Sequence, residues 1–81
     1  MDVGVAFGKV LRRLRLEAGL TQEQLGFEAD LRRTYVSILE LGQQQPSLAT
    51  ILKLAKALKQ SGQALVGMVE AEIRLGSGRK K

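Results

Sequence analysis

The sequence has no cysteine, no histidine and no tryptophan, and only one proline. Without cysteine no disulfide can staple the fold, and without cysteine or histidine the usual zinc ligands are missing. Ser–His and Cys–His nucleophiles and histidine acid–base catalysis are excluded too. A carboxylate enzyme would need a convincing acid pair, and most acidic residues here fall on solvated helix faces. No catalytic residue, metal or cofactor is therefore expected. Phe7, Phe27 and Tyr35 are the only aromatic residues, too few for a platform on which single-stranded bases stack. No run of about 18 apolar residues occurs, so no membrane span is expected. The opening MDVGVAFGK lacks the charged start and apolar core of a secretory signal. A cytoplasmic protein without a membrane partner is the expectation.

What remains is 81 residues, enough for one small domain. The net charge is +5, but the last six residues, GSGRKK, hold three of the thirteen basic side chains. The rest of the chain sets ten basic residues against eight acidic ones. Global charge is thus a weak pointer to nucleic acid, and the placement of charge has to carry the argument.

With one proline and few β-branched runs, the apolar spacing reads as helical nearly throughout. In VAFGKVLRRLRLEAG, Phe7, Val10, Leu11, Leu14 and Ala18 form one stripe, and Gly19 is a natural stop. Thr21 and Gln24 can form a capping box for a second, short helix from about Gln22 to Ala29 that buries Leu25 and Ala29. Asp30 tolerates a left-handed turn. The third helix spans roughly Arg33 to Leu41, with Val36 and Leu39 inward and Gly42 as its stop. Pro46 and Ser47 open a fourth helix, in which Leu48, Ile51, Leu52, Ala55 and Leu58 are expected in the core and Lys53, Lys56 and Lys59 in solvent. A fifth helix, QALVGMVEAEIRL, ends near Leu75. The predicted architecture is all-α: one five-helix domain over 1–75, its last helix at about 61–75, followed by a flexible basic tail over 76–81.

Two short helices joined by a tight turn inside a small helical domain make a helix-turn-helix plan. The stretch RLRLEAGLTQEQLGFEADLRRTYVSILELGQQQPSLATILKLAKAL resembles the lambda-repressor-like (Cro-type, xenobiotic-response-element) helix-turn-helix family of bacterial and phage regulators. Arg15 before Gly19, Thr21-Gln22, Leu25, the RTYVS block, Glu40, Gly42, Pro46-Ser47 and LAKAL carry the resemblance together. Size and the RTYVS block are most similar to restriction–modification controller proteins.

The resemblance implies a sequence-specific, double-stranded-DNA-binding transcriptional regulator whose third helix enters the major groove. Arg33 and Thr34 would reach base edges first, with Ser37 one turn along. Ile38 would meet a thymine methyl or mark a protein-facing surface. Gln22 would grip a phosphate or merely assist the cap, and Arg32 would contact the backbone. Tyr35 would reach a phosphate or pack on the core. Gln43, Gln44 and Gln45 would bind phosphates or form a polar loop. Glu40 matches a position that usually makes an internal ion pair, for which Arg15 is the candidate partner.

The chain also departs from the family. Arg32 stands where a Ser or Asp cap is common, a loss of about 0.5–2 kcal/mol. Leu41 and Gln44 replace basic residues, which implies a gentler salt dependence. Gly26 replaces a small Ala and should loosen the second helix slightly.

One recognition helix reads only a few base pairs, so a homodimer on a pseudo-palindromic operator is expected. Leu65, Val66, Met68, Val69 and Ile73, with Leu75, make the fifth helix the candidate dimer interface; closure of the monomer core is the competing role. A repressor would occlude RNA polymerase and an activator would touch it. The alternative function is a protein-interaction module such as the antitoxin of a toxin–antitoxin pair, suggested by Ile38, Leu41 and the apolar last helix.

Overall fold

The computed structural model describes residues 2–78, which form five α-helices and no strand: α1 Val3–Glu17, α2 Gln22–Ala29, α3 Arg33–Glu40, α4 Leu48–Ala57 and α5 Gly62–Gly78. Asp2 starts α1, its carboxylate accepting from the Val5 N–H at 3.3 Å. Phe7, Val10, Leu11 and Leu14 enter the core as their spacing predicts. Ala18 does not. It is the C-cap of α1 and is exposed, because Gly19 at φ +73° turns the chain away before another core position is reached.

At α2 the capping box is complete: the Gln24 N–H donates to Thr21 Oγ1 at 3.0 Å, and the Thr21 N–H donates to Gln24 Oε1 at 2.8 Å. Leu25 and Ala29 are buried. Asp30 closes the helix in the left-handed region, at φ 59° and ψ 47°. α2 runs unbroken through Gly26. The Leu31 carbonyl comes down onto this residue, 2.6 Å from where a Cβ would stand. Gly8 plays the same part on α1, where a Cβ would lie 2.6 Å from the carbonyl oxygens of both Leu39 and Glu40. The end of α3 thus rests directly on the α1 backbone.

α4 buries part of the face its sequence suggests, rotated toward Leu54. Leu54, Ala55 and Leu58 lie in the core, with Ile51 half-buried against it, whereas Leu48 and Leu52 are exposed. Positions 51, 54, 55 and 58 and positions 48, 51, 52 and 55 are both valid helical stripes. The helix is apolar on two adjacent faces, so periodicity alone cannot choose between them. Packing against α2 and α5 selects the first.

α5 also divides its apolar residues. Leu65 is fully buried and Val69 nearly so, while Met68 and Ile73 pack partly against the core. Only Val66 and Leu75 stand clearly exposed. Leu65 and Val69 are thus corrected from candidate interface residues to core residues, since their side chains close the protomer. The helix continues to Gly78, beyond the expected stop near Leu75, so the first residues of the expected tail are helical. Residues 79–81 of that tail lie outside the described residues. No helix among those described is long and apolar enough to cross a membrane.

Candidate nucleic-acid interface

The Asp30–Arg32 turn holds α2 and α3 together. The Leu31 N–H donates to the Gly26 carbonyl at 2.7 Å, and Val36 and Leu39 anchor the inner side of α3 in the core. Fixing those two residues fixes the opposite face. Arg33 and Thr34 are exposed, and Ser37 and Ile38 are partly exposed on the following turn. Leu41 continues the same side at 66 % exposure. Tyr35 is half-buried and packs against the core with its ring.

Arg32 has N-cap backbone geometry, φ −75° and ψ 147°, but supplies no side-chain hydrogen bond. Thr21 and Ser47, with similar geometry, each accept a backbone N–H at the third helical position. The first turn of α3 also contains no acidic residue. Both cap and dipole compensation are missing at the end of the helix where two arginines stand. Arg32→Asp is therefore expected to raise unfolding free energy by about 0.5–2 kcal/mol, measured by urea denaturation. An unchanged midpoint would mean that the vacant cap carries no cost.

Below this surface lies a buried polar network. Arg15 Nε donates to Glu40 Oε2 at 2.6 Å and Arg15 Nη2 to Glu40 Oε1 at 3.0 Å. Arg15 Nη1 donates to the Leu20 carbonyl at 2.9 Å. The two charged side chains are only 8 % and 4 % exposed. The hydrogen bond to Glu40 raises the Arg15 pKa above its ordinary value; burial acts against that rise and the Glu40 charge adds to it. Gln22 joins the network by donating from Nε2 to Glu40 Oε1 at 3.1 Å. Its side chain is thus held, which neither a free solvated glutamine nor a simple capping role describes. The link was invisible in the sequence because residues 22 and 40 meet only when α2 and α3 fold against each other.

The structure brings Gln22 and Arg33 to a single cleft, lined also by Arg15, Leu20, Thr21 and Glu23. Glu23 had no assigned role in the sequence. Arg32 lies beyond it, beside a hollow formed with Gly26, Phe27, Asp30 and Leu31. Phe27, 85 % exposed, is an aromatic surface residue that periodicity did not flag. Gln43 and Gln44 are exposed after α3. Gln45 is exposed as well; its Cγ approaches Gly4, and it lines a groove with Val3, Phe7, Pro46, Ile51, Val66 and Val69.

The helix-turn-helix family model matches residues 11–65, which include this entire unit. The chain is 43 % identical over 58 residues to the control protein C.BamHI of Bacillus amyloliquefaciens, covering 70 % of this chain and 72 % of that protein. The crystal structure of the restriction–modification controller protein C.AhdI from Aeromonas hydrophila superposes with a TM-score of 0.74 at 48 % identity, covering 76 % of this chain and 94 % of the other. The clp gene regulator ClgR of Corynebacterium glutamicum has a TM-score of 0.92 at 22 % identity, covering 99 % and 85 % of the two chains. That last likeness concerns the fold alone.

Proposed function

The chain belongs to the helix-turn-helix family of DNA-binding transcriptional regulators, and on that premise we propose that it binds a pseudo-palindromic operator as a homodimer with α3 in the major groove. The carrying observation is the uncapped, doubly cationic start of α3 beside the α2 N-terminus. A cation there is unfavourable in the free protein and favourable between phosphates and guanine edges. Arg33, Thr34, Ser37 and Ile38 are the proposed base-contacting set. Gln22, Arg32, Tyr35, Gln43, Gln44 and Gln45 are the proposed backbone contacts. Gln45, exposed like Gln43 and Gln44, is proposed with them, its Cγ resting near Gly4 of α1.

The proposed contacts make opposite demands on Arg32. The same Arg32→Asp substitution that stabilises the fold should weaken DNA binding, because it exchanges attraction to phosphate for repulsion. Fluorescence anisotropy with a labelled duplex, selected from a randomised pool by the wild-type protein, measures that loss.

Dimerisation is assigned to the apolar surface that the monomer leaves open. Leu48 is 70 % and Leu52 52 % exposed on α4, and Val66 is exposed on α5. Leu52 lies over the start of α5, with its Cδ2 2.6 Å from a Cβ position on Gly62, so the two helices share one face. Half-buried Ile51 lines a groove with Val66 beside it. Burying one such side chain contributes about 1.5–3 kcal/mol. Leu52→Glu should therefore raise the dimer dissociation constant by at least about tenfold in sedimentation equilibrium. An unaltered constant would place the interface elsewhere.

Exposed Phe27 and Leu41 favour a second reading, a protein-interaction module such as an antitoxin. Stoichiometric copurification of a partner whose binding is lost on Phe27→Ala or Leu41→Ala, together with no selected duplex, would replace the first reading with the second.

A further inference from the structure

Arg15, Glu40 and Gln22 run as one hydrogen-bonded chain from the buried interior to the surface where α2 begins. Glu40 is held through two Arg15 bonds and has almost no solvent exposure. A carboxylate can only accept hydrogen bonds, so it dictates that the Gln22 amide turns its nitrogen inward. An amide nitrogen carries two protons, and one of them remains. The capping box already uses the N–H groups of Thr21 and Gln24. Beside the remaining first-turn N–H groups, the Gln22 side chain is a polar group at this helix start that is held from below by Glu40.

We propose that Glu40 is a positioning residue for DNA binding, fixing the Gln22 carboxamide so that its remaining N–H meets a backbone phosphate. The proposal rests on the DNA-binding reading above. A free glutamine side chain must lose its rotamer freedom when it docks on a phosphate. Here much of that ordering has happened on folding. The network therefore does more than join α1 to α3: it links the stability of the domain to the quality of one phosphate contact.

A double-mutant cycle on DNA affinity separates this role from a purely structural one. The variants are Gln22→Ala, Glu40→Gln and the pair. The probe is a duplex selected from a randomised pool by the wild-type protein, at a temperature where circular dichroism shows each variant folded. Each single substitution is expected to weaken binding by about 3–10-fold, and the pair by no more than either alone. Multiplying losses, or a Gln22→Ala variant that binds like wild type, would overturn the role of Glu40 while leaving the DNA-binding reading intact. A wild-type protein that selects no duplex would overturn both.

Should Glu40→Gln fail to fold, nitrogen-15 spectra of the wild-type protein provide the decision. One Gln22 side-chain proton should exchange slowly before DNA is added, and the other should shift on saturation with the duplex. Two side-chain protons that both exchange rapidly with solvent in the free protein, or two unshifted protons in the complex, would contradict the proposal.

Discussion

Arg15→Ala is expected to destabilise the fold by about 3–5 kcal/mol, the usual consequence of removing one partner of a buried ion pair. The substitution removes three hydrogen bonds, two to the Glu40 carboxylate and one to the Leu20 carbonyl. Glu40 would keep only the Gln22 amide as a hydrogen-bond partner, with 4 % of its side chain open to water. A charge left in that environment must draw in water, become protonated or force α3 away from α1. Each route loosens the contact between Gly8 and the end of α3.

A small domain has only about 5–15 kcal/mol of net stability, so the loss is a large fraction of it. Thermal unfolding should fall by at least about 12 °C for a chain of this size. A loss under about 1 kcal/mol would instead be the behaviour of a solvent-exposed pair. The double replacement Arg15→Met with Glu40→Leu should recover most of the loss, because it removes both buried charges and fills their volume.

Arg33→Ala is expected to leave the fold intact and to weaken binding to a selected duplex by about 1–3 kcal/mol, or roughly 5–150-fold. Arg33 is exposed and at the first position of α3. Removing it relieves unfavourable charge at a helix N-terminus, so stability should rise by a few tenths of a kcal/mol to about 1. Binding and stability then move in opposite directions, which a general unfolding defect cannot produce. Loss of a guanine contact should also flatten the preference at one base pair in each half-site. Loss of a phosphate contact alone would weaken all duplexes by a similar factor, and would reassign Arg33 to the backbone.

Features set by neighbouring residues were the legible ones in the sequence. The capping box at Thr21, the left-handed Asp30 and the vacant cap at Arg32 depend on neighbouring residues and local backbone chemistry. All three are present as the sequence predicts. The inward pair Val36 and Leu39 also followed from a clear one-sided pattern. The face of α4 did not, because Leu54 completes a second apolar stripe and only contacts from distant segments choose between them. Leu65 and Val69 were legible as apolar but not as inward, for the same reason.

Long-range polar chemistry was partly legible. The resemblance suggested the Arg15–Glu40 pair, but neither its burial nor its connection to Gln22 has a local signal. The approach of Gln45 to Gly4 likewise depends on where α1 begins, which the Asp2 cap sets.

Guanine N7 protection on duplexes selected from a randomised pool tests the central claim most directly. N7 lies in the major groove, so its protection reports where α3 enters. The wild-type protein is expected to enrich a pseudo-palindrome and to protect guanines in two half-sites centred about 10–10.5 base pairs apart. Arg33→Ala should lose one protected guanine in each half-site and keep the rest. No enriched sequence, or an unchanged pattern and affinity with Arg33→Ala, would contradict the assignment of α3 as the recognition helix.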